Sequence, residues 1–213
     1  MALGDVIPLD ANRRGVDDAD VPSDARAARP DDDLAVMWEI HRGSHEAFST
    51  LLRRYWPRLI RYADTIVGGR DRAQDVVQEA FVRVWQNRST WEPRGTVSAY
   101  LYRITRNLAL NSERERKSGA SLRRNPEAAA SGPRPPRDPD IVFHDNALRR
   151  EVEAAIASLP ERRREVFVLA RFHRLSYGEI AEALEISRQT VANQMSAALA
   201  SLRDQLSGVR TPS

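Results

Sequence analysis

Apolar residues recur at spacings of three and four along most of the chain, and this period is the strongest constraint on the fold. The spacing is that of one face of an α-helix. No segment shows sustained alternation of apolar and polar residues, so no strand is predicted. The first three stripes consist of Phe48, Leu51, Leu52, Tyr55, Leu59, Tyr62, Ala63 and Ile66; Ala73, Val76, Val77, Ala80, Phe81 and Val84; and Val97, Tyr100, Leu101, Ile104 and Leu108. The sequence therefore predicts an all-α protein.

Glycine and proline predict where these helices end. Pro57 lies inside the first stripe, where a kink or break is expected. The pair Gly68-Gly69 predicts the end of that helix. Pro93 and Gly95 break the chain again, and a third helix is predicted to begin near residues 96–98.

A change of composition divides the chain into two small helical domains. Residues 118–144 are rich in proline, which predicts a flexible, extended linker. It separates a domain at residues 33–117 from a second one at 145–206. Residues 1–32 hold many aspartates and no sustained apolar period, which predicts a disordered acidic extension. Residues 207–213 are left as a tail.

The second domain ends in the pattern of a helix-turn-helix. Ser176 and Glu179 have the spacing of a capping box, which opens a predicted helix at residues 177–184. A tight turn with Ser187 as the predicted cap leads to a last helix at residues 188–206. Arginine, glutamine and asparagine, which bond base edges in the major groove, occupy the outward positions near its start. These are Arg188, Gln189, Asn193 and Gln194. A plain helical hairpin with a polar face is the alternative.

The charge distribution agrees with a polyanionic partner. The net charge of +3 divides into −6 for residues 1–40, +5 for 41–113, +4 for 114–150 and zero for 151–213. A basic middle is typical of nucleic-acid binding. All basic residues but Lys117 are arginines, which suit phosphate and base contacts but also follow from a GC-rich genome.

Composition also excludes several classes of protein. The chain has no cysteine, which excludes a disulfide scaffold and a thiolate zinc site. It has no apolar run of 18 residues and no secretory signal, so we expect no membrane insertion and a cytoplasmic location.

Five segments of the chain resemble bacterial sigma factors. Residues 70–81, 84–85 and 99–109 resemble the second conserved region of these proteins. Residues 159–167 and 175–181 resemble the fourth conserved region. Two such regions with only a linker between them are the layout of the extracytoplasmic-function subfamily.

The resemblance implies that the chain binds core RNA polymerase. The helix that follows Asp71 would dock on the clamp helices of the largest subunit, and the fourth region on the flap of the second-largest subunit. The polar groups implied for the clamp contact suit an arginine-bearing helix. They are Asp75, Gln78 and Glu79, together with Trp85. The alternative for these groups is an ordinary solvated face. An anti-sigma factor is a further implied partner.

The resemblance also implies two contacts with promoter DNA. The segment 87–96 would accept a flipped base of the −10 element, with Trp91 as its aromatic, although Trp91 is equally suited to the hydrophobic core. The remaining residues implied for −10 DNA are Arg103, Arg106, Asn107 and Asn111. Those implied for the −35 element are Arg188, Gln189, Thr190, Asn193 and Gln194, with Thr190 on a phosphate.

Three departures from the family pattern qualify these expectations. Positions 192, 194 and 197 are not basic, so phosphate contacts from the last helix should be weaker. Glu185 stands where the turn often carries glycine, which predicts slight strain. The acidic extension is longer than the family needs, and one hypothesis is that it shields the basic face.

Two other function classes are weighed against this interpretation. A helix-turn-helix regulator acting without core polymerase would leave residues 70–110 unexplained. A metal enzyme would use His41 and His45, but Gly43 lies between them and no acid completes a ligand set. Because no phosphate loop or nucleophile arrangement stands out, we expect no enzyme activity, metal, cofactor or small-molecule substrate.

Overall fold

The computed structural model describes residues 30–123 and 146–207 of the chain. All the regular structure within these residues is helical, as the sequence predicts. The helices are α1 (Pro30–His41), α2 (His45–Val67), α3 (Arg70–Gln86), α4 (Val97–Arg123), α5 (Asn146–Ser158), α6 (Glu161–Arg171), α7 (Tyr177–Leu184) and α8 (Arg188–Ser207), with a short 3₁₀ turn at Arg88–Thr90 between α3 and α4.

The amino-terminal half packs around α2. This helix contacts α1, α3 and α4. Buried Asp33 joins α1 to α2, because its carboxylate accepts hydrogen bonds from Arg54 and from the hydroxyl of Tyr55. Ser44 caps the start of α2 by accepting a hydrogen bond from the backbone N–H of Ala47. The amino-terminal half is thus a four-helix unit with α2 at its centre.

The predicted helix ends are confirmed at two positions. Gly68 ends α2 with a left-handed φ of 64°, a conformation that glycine adopts without strain. Thr96 precedes α4, and its hydroxyl accepts a hydrogen bond from the N–H of Ala99. Of the kink or break expected at Pro57, the break is wrong, because α2 continues through this residue. Buried side chains on both sides of the proline, including Tyr55 and Leu59, hold the helix in place.

Two predicted boundaries also move. α1 begins at Pro30, inside the segment that we expected to be disordered, and proline suits the first position of a helix. α4 continues to Arg123, beyond residue 118, where we expected the linker to begin. The rest of the acidic extension, the rest of the linker and residues 208–213 lie outside the described residues.

The carboxy-terminal half contains the predicted helix-turn-helix. Ser176 and Glu179 form the capping box at the start of α7. Glu185 ends α7 with φ = 56°, so the strain expected for a non-glycine residue in this turn is present. Ser187 accepts a hydrogen bond from the N–H of Thr190 and caps α8. α8 packs on α5, α6 and α7.

One hydrophobic cluster runs through both halves, while a smaller cluster joins α5 to α8. The predicted buried face of α4 is only partly right. Leu101 is buried as expected, but Tyr100 is half-buried and Tyr102 is completely buried. No helix among the described residues is long and apolar enough to cross a membrane.

Candidate nucleic-acid and polymerase interfaces

The outward side of α3 carries the polar groups implied for the clamp contact. Asp75, Gln78 and Glu79 are exposed, whereas Val76 and Val77 on the opposite side are buried. Glu79 pairs with Arg83 one turn later, at 2.8 Å between Oε1 and Nε. The helical period alone therefore brings these three side chains to one surface.

An apolar groove lies beside these polar groups, between α2 and α3. It is lined by Phe48, Leu52, Trp56, Gln78, Phe81, Val82, Trp85 and Gln86. Trp38 and Val82 are the exposed large hydrophobic side chains among the described residues, and Val82, at 40% exposure, lies in the lining of this groove. Trp85 is half-buried under Arg88, whose guanidinium lies 4.3 Å from the ring centroid. Gln78 and Trp85 thus belong both to the groove and to the predicted polymerase contact.

The residues predicted to hold −10 DNA are not equally accessible on α4. Asn107 and Asn111 are exposed and lie one helical turn apart. Arg103 is half-buried, with its guanidinium 5.9 Å from the centroid of the Tyr100 ring. Arg106 is 15% exposed because it forms an ion pair with Glu165 of α6. The structure therefore brings Arg106 to a protein carboxylate rather than to solvent.

Trp91 takes the core position that is the alternative to base binding. It is 8% exposed, and its ring centroid lies 5.9 Å from that of Trp38 and 6.4 Å from that of Tyr100. Its ring is therefore not offered to a flipped base in this conformation. Trp38, at 40% exposure, is the aromatic side chain that reaches the surface of this cluster.

The start of α8 presents the predicted base-reading set. Arg188, Gln189 and Asn193 are exposed, and Gln189 Nε2 donates to Asn193 Oδ1 at 3.0 Å. Thr190 and Gln194 are half-buried beside them. Val191 and Met195 on the other side of α8 are buried and hold the helix against the rest of the half. The helix thus offers amide and guanidinium groups along one outward edge.

The two histidines of the metal alternative make other contacts. His41 Nδ1 lies 2.9 Å from the carbonyl oxygen of Arg88. His45 stacks against Trp85, with ring centroids 4.4 Å apart. Among the described residues no group of three or more potential ligands is placed to hold a metal ion.

Comparison with known proteins gives the family. Residues 51–119 match the family Sigma-70 region 2, and residues 149–202 match Sigma-70, region 4. The chain is 32% identical over 160 residues to the ECF RNA polymerase sigma factor SigE of Mycolicibacterium smegmatis, an alignment that covers 75% of this chain and 62% of SigE. The chain belongs to the extracytoplasmic-function sigma factors. SigW of Bacillus subtilis is 26% identical over 178 residues, covering 79% of this sigma factor and 93% of SigW.

Two solved structures share the fold of this sigma factor. CnrH in complex with the cytosolic domain of CnrY superposes with a TM-score of 0.59 and 23% identity, covering 83% of this chain and 97% of CnrH. The sigma factor RpoE of Bartonella quintana, in complex with the anti-sigma factor NepR, gives a TM-score of 0.59 and 21% identity. That superposition covers 75% of this chain and 96% of RpoE.

The region 2 half of this sigma factor, α1–α4, contacts its region 4 half, α5–α8, through Glu165. Arg106 Nε donates to Glu165 Oε1 at 2.7 Å, and Arg106 Nη2 donates to Oε2 at 3.2 Å. The hydroxyl of Tyr62 donates to the same Oε1 at 2.9 Å. Burial and the neighbouring Glu165 carboxylate raise the pKa of Tyr62 well above its ordinary value. One region 4 carboxylate therefore binds two helices of region 2.

His173 forms the centre of the same contact. Its imidazole is 1% exposed, and Nδ1 lies 3.0 Å from the hydroxyl of Tyr102. Its carbonyl oxygen accepts a hydrogen bond from Arg58. Burial, together with the positive charges of Arg58 and Arg61, lowers the pKa of His173 to about 3. The imidazole is therefore neutral in this conformation at pH 7.

A third contact joins α7 to the start of α4. The N–H of Thr96 donates to Glu182 Oε2 at 3.2 Å, and the hydroxyl of Thr96 lies 3.3 Å from Glu179 Oε1. Gly95 has φ = 86°, and a Cβ at this position would overlap the Glu182 carboxylate. The turn before α4 and the first helix of the helix-turn-helix thus lie directly against each other.

Sequence reasoning did not find this contact between the halves. In the sequence, Tyr62 appears only as a member of an apolar stripe and Glu165 only within a family motif. No sequence pattern indicates that His173 is buried between the halves, or that Glu182 lies against Gly95. The only available signal was the excess of arginine in region 2, which leaves positive charge for acidic partners elsewhere.

Proposed function

We propose that this sigma factor binds core RNA polymerase, recognises −10 and −35 promoter elements, promotes DNA melting and directs initiation at a specific set of promoters. The observation that carries the proposal is the α3 surface. Exposed Asp75 and Glu79 lie next to an apolar groove that includes exposed Val82. A helix-turn-helix protein that binds DNA alone has no use for this second surface.

The α3 surface suits a helical partner that carries arginines. Its carboxylates supply charge complementarity, which favours fast and specific association. The adjacent groove supplies apolar area that a partner helix can bury. We assign this surface to the clamp helices of the largest subunit, with Asp75, Gln78, Glu79 and Trp85 as contact residues. The region 4 half would contact the flap of the second-largest subunit.

The two halves would read two separate promoter elements. Exposed Asn107 and Asn111, with Arg103 and Arg106, are our candidates for the −10 strand, and the start of α8 for the −35 duplex. Amide side chains bond base edges and arginines bind phosphates. Base binding by Trp91 remains a prediction. It requires that the ring, which is buried, moves to the surface.

An anti-sigma factor is a further proposed partner. CnrH and RpoE were solved with CnrY and NepR, and both sigma factors share the fold of this chain. We propose that an anti-sigma factor also binds this chain and keeps it from core polymerase. As a family member the chain would act as an initiation factor and not as an enzyme.

Transcription in vitro tests the proposed function. The purified protein and core polymerase are incubated with sheared genomic DNA, and the 5′ ends of the transcripts are mapped. We expect discrete start sites preceded by shared −10 and −35 sequences. Transcripts no different from those of core polymerase alone would contradict the proposal, and DNA binding without initiation would indicate a regulator.

A matched pair of variants sharpens this test. Asp75→Arg reverses a charge on the α3 surface, whereas Asp204→Arg makes the same change at an exposed position near the end of α8. We expect Asp75→Arg to abolish most specific initiation and Asp204→Arg to retain it. Equal activities of the two variants would show that the α3 surface does not contact the polymerase.

A further inference from the structure

We propose that Trp38 of α1 binds single-stranded promoter DNA by stacking its indole ring on an unpaired base. The inference rests on the proposed function, because an unpaired promoter strand exists only if the chain promotes melting. It adds a contact on α1, whereas the candidates for the −10 strand lie on α4 and in the segment 87–96. Trp38 precedes residues 51–119, which match the family in this half, so the family match does not include it.

The first observation is that Trp38 reaches the surface. Together with Val82 it is one of the exposed large hydrophobic side chains among the described residues, each at 40%. Val82 lies in the groove that we assign to core polymerase, but Trp38 is not part of the lining of that groove. Its neighbours Met37 and Ile40 are buried and anchor α1 on the core. The exposed part of the indole is therefore available to a partner.

The second observation is that neighbouring rings hold Trp38 in place. Its ring centroid lies 5.4 Å from that of His41 and 5.9 Å from that of Trp91, and both contacts are edge-to-face. Trp91 is 8% exposed, and His41 Nδ1 lies 2.9 Å from the carbonyl oxygen of Arg88. These contacts reduce the side-chain entropy that Trp38 loses on binding. A base reaches its exposed surface without the rearrangement that Trp91 requires.

The third observation is an excess of positive charge around these rings. Arg42 is exposed one turn after Trp38, and its Nε donates to the Trp38 carbonyl oxygen at 3.4 Å. The charged residues within three positions of Trp38, His41, Trp91 or Tyr100 are Arg42, Arg88, Arg94, Arg103, Glu39 and Glu92. Four arginines against two glutamates leave a net charge of +2. Such a surface attracts the phosphates of a DNA strand.

These features together favour DNA over a protein as the occupant. An exposed aromatic ring among arginines is typical of single-strand binding, because the ring stacks on a base and the arginines bind its phosphates. The α3 surface has the opposite character, since exposed Asp75 and Glu79 make it acidic. A partner helix that carries arginines, as we propose for α3, would be repelled near Trp38.

The fourth observation is that Trp38 adjoins the residues proposed for the −10 strand. The rings of Trp38, Trp91 and Tyr100 form a row, with successive centroids 5.9 and 6.4 Å apart. Tyr100, Asn107 and Asn111 follow one another at spacings of seven and four, so they lie on one side of α4. A strand that passes the two asparagines toward the start of α4 therefore brings its next bases to Trp38.

Photochemical cross-linking tests this contact in the holoenzyme. The full chain and core polymerase are mixed with a pool of short random single strands in which 5-iododeoxyuridine replaces thymidine. Irradiation joins the iodinated base to an aromatic side chain that stacks on it, and peptide mass spectrometry identifies that residue. We expect a cross-link at Trp38. Its absence would overturn the proposal, and the test needs no variant to fold.

A matched pair of variants separates stacking from apolar bulk. Trp38→Phe keeps a ring that stacks on a base, whereas Trp38→Leu keeps an apolar side chain without a ring. Fluorescence anisotropy of dye-labelled random single strands gives the affinity of each holoenzyme for DNA. We expect Trp38→Leu to bind the strands at least about fivefold more weakly than Trp38→Phe. Equal affinities of the two holoenzymes would contradict base stacking.

Binding of core polymerase is the control for a protein contact. The Kd of each variant for core polymerase is measured without DNA, and we expect the same value for Trp38→Phe and Trp38→Leu. If Trp38→Leu bound core polymerase more weakly than Trp38→Phe, Trp38 would belong to the polymerase contact and the inference would be wrong.

These outcomes separate the inference from the proposed function. A holoenzyme that initiates at discrete start sites but shows no cross-link at Trp38 would sink this inference alone. A chain that cross-links through Trp38 but never initiates with core polymerase would sink the proposed function and leave the stacking contact in place.

Discussion

The imidazole of His173 and the hydroxyl of Tyr102 lie 3.0 Å apart between the two halves, and neither side chain is more than 1% exposed. The hydrogen bond connects the turn after α6 to the second turn of α4. Nε2 of His173 has no hydrogen-bond partner within the described part of the chain. The contact therefore suits a neutral imidazole and penalises a charged one.

We expect the contact between the halves to weaken as the pH falls. Burial lowers the pKa of His173 from 6.5 to about 3. The closed form, in which the two halves are in contact, therefore binds fewer protons than an open form in which His173 meets water. The stabilisation is complete above about pH 6.5 and decreases below it, by about 1.4 kcal/mol per pH unit. Between pH 7.5 and pH 5.5 the ratio of closed to open chains should fall about tenfold, measured by energy transfer between dyes on the two halves.

His173→Phe is the control for this pH dependence. It keeps His41, His45 and every charged group that faces position 173. The charges that act on His173 are those of Arg58 and Arg61 on α2. Arg106, Glu165 and Glu179 act on its aromatic neighbours Tyr62 and Tyr102. The ratio should be almost constant for His173→Phe between pH 7.5 and pH 5.5. A decrease as large as that of the unmodified chain would assign the effect to another group.

A charge in the apolar groove should weaken binding to core polymerase. Val82→Asp places a carboxylate among Phe81, Trp85 and their neighbours, where a docked helix would strip it of water. We expect the Kd for core polymerase to rise at least about tenfold, a loss of about 1.4 kcal/mol. Ala200→Asp, at an exposed position on α8, is the matched control. If both variants bind equally well, the groove lies outside the polymerase contact.

Removal of one amide from the outward edge at the start of α8 should relax promoter choice at one position. Asn193→Ala removes an exposed side chain near the start of α8 that we propose for base contact. We expect the variant to lose about 1–3 kcal/mol of interaction free energy with the preferred promoter. When the contacted −35 base is changed, the variant should lose little further interaction free energy. Asp204→Ala near the end of the same helix should transcribe both templates like the unmodified chain. The measurement is initiation from promoter templates with single −35 substitutions.

The capping box supports the helix-turn-helix independently of DNA. Ser176 Oγ accepts from the N–H of Glu179 at 3.2 Å, and the Glu179 carboxylate accepts from the N–H of Ser176 at 2.9 Å. We expect Ser176→Ala to cost about 1 kcal/mol of stability, which lowers Tm by about 2–4 °C for a chain of this size. Ser176→Asp should recover most of the loss, because aspartate also caps helices. The measurement is thermal unfolding followed by circular dichroism. Equal Tm values for Ser176→Ala and the unmodified chain would contradict the prediction.

The helices themselves were predictable because their signals are local. The ends at Gly68 and Thr96 and the box at Ser176 depend on residues within a few positions of each other. Pro57 was misleading for the opposite reason. Its local effect is to break a helix, but buried neighbours such as Tyr55 and Leu59 stabilise the continuous α2.

By itself, the sequence determined an all-helical chain, the helix-turn-helix and the two motif blocks that identify the family, since each depends on short-range periodicity and spacing. Only the tertiary structure decided that Arg106 meets Glu165, 59 residues away, while its neighbour Asn107 stays exposed. The period of a helix determines which residues share a face but not which distant segment covers that face. That choice comes from the packing of aromatic rings and the pairing of charges between the halves, and it sets which of the residues proposed for DNA binding are exposed.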